Sequence, residues 1–498
     1  AASDQNIFGN LSMGILQIAG SSGSFSGNRI GLGTTNTSSM PNTTGIQINN
    51  NSNADALNHF IGNNLIGKNT TGINLIGFTG ASVPGTGKVI GTQIIGNLIG
   101  SDSLTSSSNL GNSGNAITIG DGVTGTIIGN VTSSNLIAYS GQNAILATSS
   151  TSLGNIFKYN TIRNNVGLGI SLLNGANNNI LPPVLTQQLP NGTGGFTYSG
   201  FVNGAPTTTY TIDFYSSLIS DSKSQGANYL GSTTVTTNAT GNIGFTGFLP
   251  TQNQTAQGAD YVVTATATNI NFGTSQFSAG PPSQIIVVSG NNQSTVVGTA
   301  FTNPLNARVV DSRGDPVPNI QVQFAAPISN PPSNPATGTF PSSQQTAIAI
   351  TNTVGIAASP TLTANNAPGN FAVLTSVFNN AAINPVSFPL TNTLPAPTIN
   401  SFTPASGQVG SSVVISGTGF AGPTQVKFNG VTATIITVNS PTQITATVPL
   451  GATTGPISVT TSGGSVTSGN NFTVTSSQVS SFKVELANPG QQVIAGVP

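Results

Sequence analysis

Four aspartates, Asp4, Asp55, Asp102 and Asp121, share the first 183 residues with the cations Arg29, Lys68, Lys88, Lys158 and Arg163. Acid–base chemistry on a sugar ring or a glycosidic oxygen needs a positioned acid and a positioned base, usually clustered carboxylates. No two of these carboxylates are close in sequence. Stacking of successive segments could bring Asp102 and Asp121 onto neighbouring turns of the chain, but Asp121 stands in IGDGVTG, where a corner turn explains it equally well. His59 is the only histidine, so a Ser-His-Asp triad has to use it, and no G-x-S-x-G elbow occurs. Between Asn58 and Phe60 it reads as a loop or edge side chain. GTGKV at 85–89 echoes a phosphate loop but lacks the correctly spaced first glycine and the following Ser or Thr. IGDG occurs once, whereas calcium-binding Gly-Asp arrays repeat it. The expectation is a non-enzyme with no catalytic set, no metal site and no cofactor.

The elements that would position these groups are legible in the composition. Of 498 residues only 4% are charged, against roughly 25% in an ordinary soluble protein, and the formal net charge is zero. The chain is rich in Gly, Asn, Ser, Thr, Val and Ile, which favour turns and strands over helices. An all-β protein with several separate cores is expected. Ten Lys plus Arg spread over the chain form no basic patch, so nucleic acid is excluded as a partner. No apolar run approaches the roughly 20 residues of a membrane span. Cysteine is absent, so disulfides and thiolate metal sites are excluded.

Short units recur through the first third: NRIG at 28–31, GIQI at 45–48, FIGNNLIG at 60–67, GINLIG at 72–77, IIGNLIG at 94–100, TIIGN at 126–130 and GLGISLL at 167–173. Each is a strand of three to five residues with alternate aliphatics, bounded by Gly or Asn. Strands this short stand alone only if stacked, Ile upon Ile, with Gly and Asn turning the corners. The inserts at 33–44 and 100–114 read as loops extruded from single turns. The pattern resembles the right-handed parallel β-helix repeats of large bacterial surface proteins, and the resemblance implies that fold for residues 1–183.

LPPVL at 181–185 breaks the pattern, and longer alternating strands follow. Residues 184–280 read as an immunoglobulin-like β-sandwich in which Phe214, Tyr215, Phe245 and Phe248 serve core and edge packing. In 281–394, Val310, Asp311, Gly314, Pro316, Val317, Pro318, Val322 and Phe324 form a turn and an extended edge before a buried strand. This set is similar to the invasin and intimin type of bacterial immunoglobulin-like domain, and Arg313 and Asp315 beside the turn are expected to be solvated. Residues 395–476 carry P-x-I-x-S-F-x-P, I-x-G-x-G-F, V-x-F-N-G and I-x-A-x-V-P, which closely resemble the IPT/TIG immunoglobulin-like fold. Such folds serve as spacers or binding modules, so the resemblance implies fold and not activity.

FKVELANPGQQVIAGVP at 482–498 resembles the IIVVSGNNQSTVVGTAF that opens the 281–394 domain, so 477–498 reads as the first strands of a further such domain or as a donor strand. Either the natural chain continues, or Phe482, Val484, Leu486 and Val493 form a subunit-contact strand added to a neighbour's sheet. Taken together, these readings predict an extracellular, cell-surface structural protein, a homo-oligomer or polymer building a surface layer, sheath, fibre or stalk. The alternatives are a protein that binds or degrades cell-surface polysaccharide in the β-helix groove, and a host or surface adhesin.

Overall fold

The computed structural model describes residues 6–476 except 19–21, 36–37, 51–53, 78–86, 105–107, 191–195, 222, 250–260, 329–334, 421 and 423. Nearly every element is a β-strand; the helical content of the described residues is two short 3-10 segments, Ala176–Asn179 and Pro341–Ser343.

Every strand pair as far as Leu172 is parallel, and the pairs build four sheets. One six-stranded sheet takes Ile7–Phe8, Arg29–Ile30, Leu65–Ile66, Leu98–Ile99, Leu136–Ala138 and Thr161–Arg163. A second takes Met13–Ile18, Thr44–Asn49, Thr71–Ile76, Ile117–Ile119, Ile145–Ala147 and Ile170–Leu172. A five-stranded sheet runs from Ser24–Ser26 to Ile156–Phe157, and a three-stranded sheet joins Ala56–Leu57, Val89–Ile90 and Val123–Thr124. The chain visits the sheets in turn, so the connection that parallel pairing requires is supplied by strands of the other sheets.

Register places like on like. Ile30, Ile66, Ile99, Ile137 and Ile162 are aligned in one sheet, and Ile46, Ile73, Ile117, Ile145 and Ile170 in another. All ten are at most 1% exposed and belong to one continuous core. At roughly 1.5–3 kcal/mol for each buried aliphatic, these rungs make two- and three-residue strands persist. The described parts of the inserts at 33–44 and 100–114 lie between Arg29–Ile30 and Thr44–Asn49 and between Leu98–Ile99 and Ile117–Ile119, and the register of the following strands is intact. Gly100 shows why glycine turns a corner: its φ is +84°, and a Cβ would run into the Ala138 carbonyl of the next turn.

Antiparallel strands begin at Val184. A three-stranded sheet (Val184–Pro190, Phe196–Asn203, Asn242–Leu249) faces a four-stranded one (Asn228–Thr236, Thr209–Leu218, Tyr261–Asn269, Gly273–Thr274). Alternation divides Thr209–Leu218 between two faces: Ile212 and Phe214 enter the sandwich core with Tyr198 and Phe245, while Tyr215 joins the core of the parallel stack. The aromatic reading therefore holds for Phe214, Tyr215 and Phe245, all buried, with Tyr215 serving the neighbouring core. The Phe248 side chain lies outside the described residues. A second sandwich pairs a sheet of Gln284–Ser289, Asn306–Val310 and Ile356–Ala358 with a five-stranded sheet centred on Gly369–Val377. Val184 and Phe201 of the first sandwich pack into its core. The last sandwich joins Thr398–Thr403, Ser412–Thr418, Gln443–Thr447 and Ile436–Ser440 to a sheet centred on Gly464–Val474 and Gly455–Thr461.

Candidate functional site

The groups singled out for chemistry do not assemble. Asp102 follows a strand of one six-stranded sheet and Asp121 a strand of the other within the same turn of the chain, so stacking does not place them on neighbouring turns. Asp55 Oδ1 accepts the Lys88 backbone N–H at 2.9 Å. The cations hold loops: Arg29 Nε donates to the Gly33 carbonyl, Lys68 Nζ to the Asn109 carbonyl and Arg163 Nη2 to the Leu104 carbonyl. These contacts pin the inserts that the sequence marks as extrusions. His59 corrects the expectation of an edge side chain: it is fully buried, its Nδ1 accepts the Gly23 N–H at 2.9 Å, and burial lowers its pKa. Among the described residues no group of three or more His, Cys, Asp or Glu could hold a metal. GTGKV lies partly outside the described residues, and Phe482, Val484, Leu486 and Val493 lie wholly outside them.

What the stack buries instead is asparagine. Asn28, Asn64, Asn97, Asn135 and Asn160 form a ladder inside one corner. Nδ2 of each donates to Oδ1 of the next at 2.9–3.0 Å. From Asn64 onward the second Nδ2 hydrogen reaches a carbonyl of the preceding turn: Phe25, Ile61, Ile94 and Ile128. The backbone N–H groups of Asn28, Asn64 and Asn97 also donate to the next Oδ1, so corner amides that no strand can pair are satisfied by side chains. A second ladder runs Asn42, Asn69 and Asn112. Asn-Asn pairs thus divide their work: Asn63 takes φ +54° at the corner and Asn64 enters the ladder. Sequence reading assigned Asn only the corner role, and the signal that could have found the ladder is the recurrent Asn directly before an aliphatic pair.

The column of the second ladder passes Ser140, whose N–H donates to Asn165 Oδ1, and ends on the first sandwich. Asn165 sends both its backbone N–H and Nδ2 to Gln225 Oε1, and Gln225 Nε2 returns a bond to the Asn165 carbonyl. Gln225 therefore stands where another rung would be. Around it the Ile162 N–H donates to the Gly226 carbonyl, Phe157 N–H to Thr274 Oγ1, Tyr159 N–H to the Tyr215 hydroxyl and Asn177 Nδ2 to the Thr274 carbonyl. At the same junction Lys158 Nζ lies 3.1 Å from Oδ2 of fully buried Asp213. Burial pushes the Asp213 carboxyl up to about 6, with Lys158 opposing the rise. Tyr215 is raised well above its ordinary value, first by burial and then by the Asp213 charge.

A second joint uses the turn that sequence places at 310–318. Asp311 Oδ2 accepts the Gly280 N–H at 2.8 Å and Arg313 Nη2 at 3.0 Å, while Oδ1 accepts the N–H groups of Arg313 and Asp315. Arg313 Nη2 also donates to Ser224 Oγ at 2.7 Å and sits 3.3 Å from Asp315 Oδ2. The Arg313 side chain is 2% exposed, which overturns the expectation of solvated charges: they are consumed in fastening the second sandwich to the first. Asp315 is raised by burial, opposed by Arg313 and reinforced by Asp311.

In the last sandwich Ile415, Phe420, Val426, Phe428 and Ile444 enter the core on the motif positions read from sequence, joined by Val413 and Phe472. Residues 397–474 match the IPT/TIG domain family. No curated protein matches the chain. Solved structures with partial likeness include a β-glycosidase from Bacteroides vulgatus, 13% identical, with a TM-score of 0.17 over 42% of this chain and 25% of that one. The Yersinia pseudotuberculosis adhesin InvE is 15% identical, TM-score 0.20, over 43% and 59%. Invasin, described as a bacterial integrin-binding protein, is 13% identical, TM-score 0.21, over 56% and 55%. The chain spans less than two thirds of the length of each. No helix among the described residues is long and apolar enough to cross a membrane.

Proposed function

We propose that the chain is a non-enzymatic extracellular structural protein in which a right-handed parallel β-helix is fastened to tandem immunoglobulin-like sandwiches, the second of invasin and intimin type and the last of IPT/TIG type. It serves a bacterial surface layer, sheath, fibre or stalk and associates with copies of itself, holding an adhesive or glycan-binding surface away from the cell. The observation that carries this reading is the junction at Gln225, where the sandwich completes the hydrogen bonding of the last helical turn. A covered end makes one mechanical unit of two architectures, and the ionic groups nearby, Lys158 with Asp213 and Arg313 with Asp311, are spent on joints and not on substrate. In calorimetry the parallel part and the first sandwich should melt as one cooperative transition, and Gln225→Ala should split or lower it by roughly 2–4 kcal/mol. Separate transitions for the parallel part and the first sandwich in the unsubstituted chain would defeat the mechanical reading. Self-association is tested by light scattering and electron microscopy across a concentration series, and a monomer throughout would remove that part. Release of reducing sugar from a polysaccharide panel would overturn the non-enzymatic assignment.

A further inference from the structure

The first and second sandwiches meet around a cleft of about 770 Å³, within the usual range for small-ligand sites. Its walls come from both domains. Gln187 and Asn203 rise from the first sandwich, and Asn319, Gln321, Asn379 and Asn380 from the second. None of these six side-chain amides makes a hydrogen bond within the described residues. Asn380 Oδ1 is shielded from solvent and has no partner, a condition that proteins usually avoid. The cleft also exposes parts of two aromatic rings, Phe201 and Phe378, one on each side. No ionisable side chain lines it.

The cleft is held in shape. On the first sandwich Phe201 packs into the second sandwich's core, and the Asp311–Arg313 clamp ties Gly280 and Ser224 across the same joint. A smaller cleft of about 260 Å³ adjoins it through the shared residues Gln187 and Asn380. Asn380 thus stands where two cavities meet, with its acceptor turned away from water.

We infer that this cleft binds a neutral oligosaccharide. Side-chain amides present a donor and an acceptor side by side, which matches adjacent hydroxyls of a sugar ring. Aromatic rings offer flat apolar faces to the ring's C–H surface. The absence of any cation removes the means of holding uronates, sulfates or phosphates by charge. A ligand long enough to pass from one cavity to the other runs past Gln187 and Asn380, the residues that the two share. The inference rests on the proposed function only in its glycan-binding part, which it locates: a rigid spacer needs no ligand, and a glycan site needs no self-association.

The test is isothermal titration of the full chain with cellotetraose, xylotetraose, mannotetraose and maltotetraose, with trigalacturonate as the charged control. At least one neutral oligosaccharide should bind, and Asn380→Ala and Asn203→Ala should each weaken that binding at least tenfold without moving the melting temperature by more than a few degrees. Gln321→Ala, on an exposed strand position, supplies a third variant should either of the first two fail to fold. No binding of any neutral tetrasaccharide at millimolar concentration overturns the inference, as does binding that all folded variants retain, or selective binding of trigalacturonate. The junction calorimetry is indifferent to each of these outcomes, so failure of the site and failure of the structural reading are read separately.

Discussion

The parallel stack and the last sandwich solve one problem in opposite ways. The stack buries a dozen asparagines or their equivalents at its corners, whereas the buried polar side chains of the described residues beyond 395 are Thr461 and Ser468. Antiparallel strands return through hairpins, so most backbone groups find partners in the next strand or in water at the turns. A parallel stack must carry the chain around corners that are themselves stacked, and the corner amides are then covered by the turns above and below. Side-chain amides, each both donor and acceptor, repeat that pairing at every level. The difference teaches that the stack is cemented by polar ladders as much as by isoleucine, while the sandwich depends on its apolar core.

The largest expected effect breaks the stack alone. Asn97→Leu removes the acceptor for Asn64 N–H and Nδ2 and the donor to Asn135 and Ile61, leaving buried groups unpaired on two turns. We expect a loss of roughly 3–5 kcal/mol in the transition of the stack. Ile457→Val, in the fully buried core of the last sandwich, should cost about 0.5–1.5 kcal/mol in a separate transition and leave the stack unchanged. Differential scanning calorimetry resolves both. Equal sensitivity of the two regions to both variants would erase the distinction.

The next effect concerns the junction and carries a sign. Asp213 has a folded pKa of about 6, above the ordinary 3.8, so the folded state favours the protonated acid. Its contribution to stability is fully present below pH 4 and is lost as pH rises through 6. A shift of this size corresponds to a stability change on the order of 2–3 kcal/mol between those limits. Melting temperature should therefore rise from pH 7.5 to pH 4.5, and the upward shift of Asp315 acts in the same direction. Asp213→Asn should flatten the profile and raise the melting temperature at pH 7.5, because Lys158 retains a path to solvent. A profile that climbs toward alkaline pH in the unsubstituted chain would contradict the assignment.

Legibility in the sequence follows the same divide. The isoleucine rungs were visible because register repeats a residue type, and the last sandwich was visible because its motif residues are local to its own core. The ladder was not, since Asn63 and Asn64 are identical in type and opposite in role. Arg313 misled for a tertiary reason: the turn is local, but the groups it fastens, Gly280 and Ser224, lie in the preceding domain. His59 likewise owes its burial to Gly23 of an earlier turn. The cleft amides could not be told from any other exposed Asn or Gln until two domains were brought together.

The smallest effect sharpens the comparison by repairing a ladder. In the second ladder the position after Asn112 is Ser140, whose N–H donates to Asn165 Oδ1 as an asparagine's would. Its hydroxyl is too short to meet Asn112, and both Asn112 Nδ2 and Ser140 Oγ are buried without partners. An asparagine here would place Oδ1 before the Asn112 amide and Nδ2 before Asn165 Oδ1, restoring the run from Asn42 to Gln225. Ser140→Asn should stabilise the stack by about 1 kcal/mol, seen as a higher denaturation midpoint with an unchanged denaturant slope. Because substitutions that fill a fully buried site usually destabilise, a gain here is specific to the ladder. A loss would mean that the corner around Ser140 is packed too tightly to admit the amide, and that the serine marks a closed point between two shorter ladders.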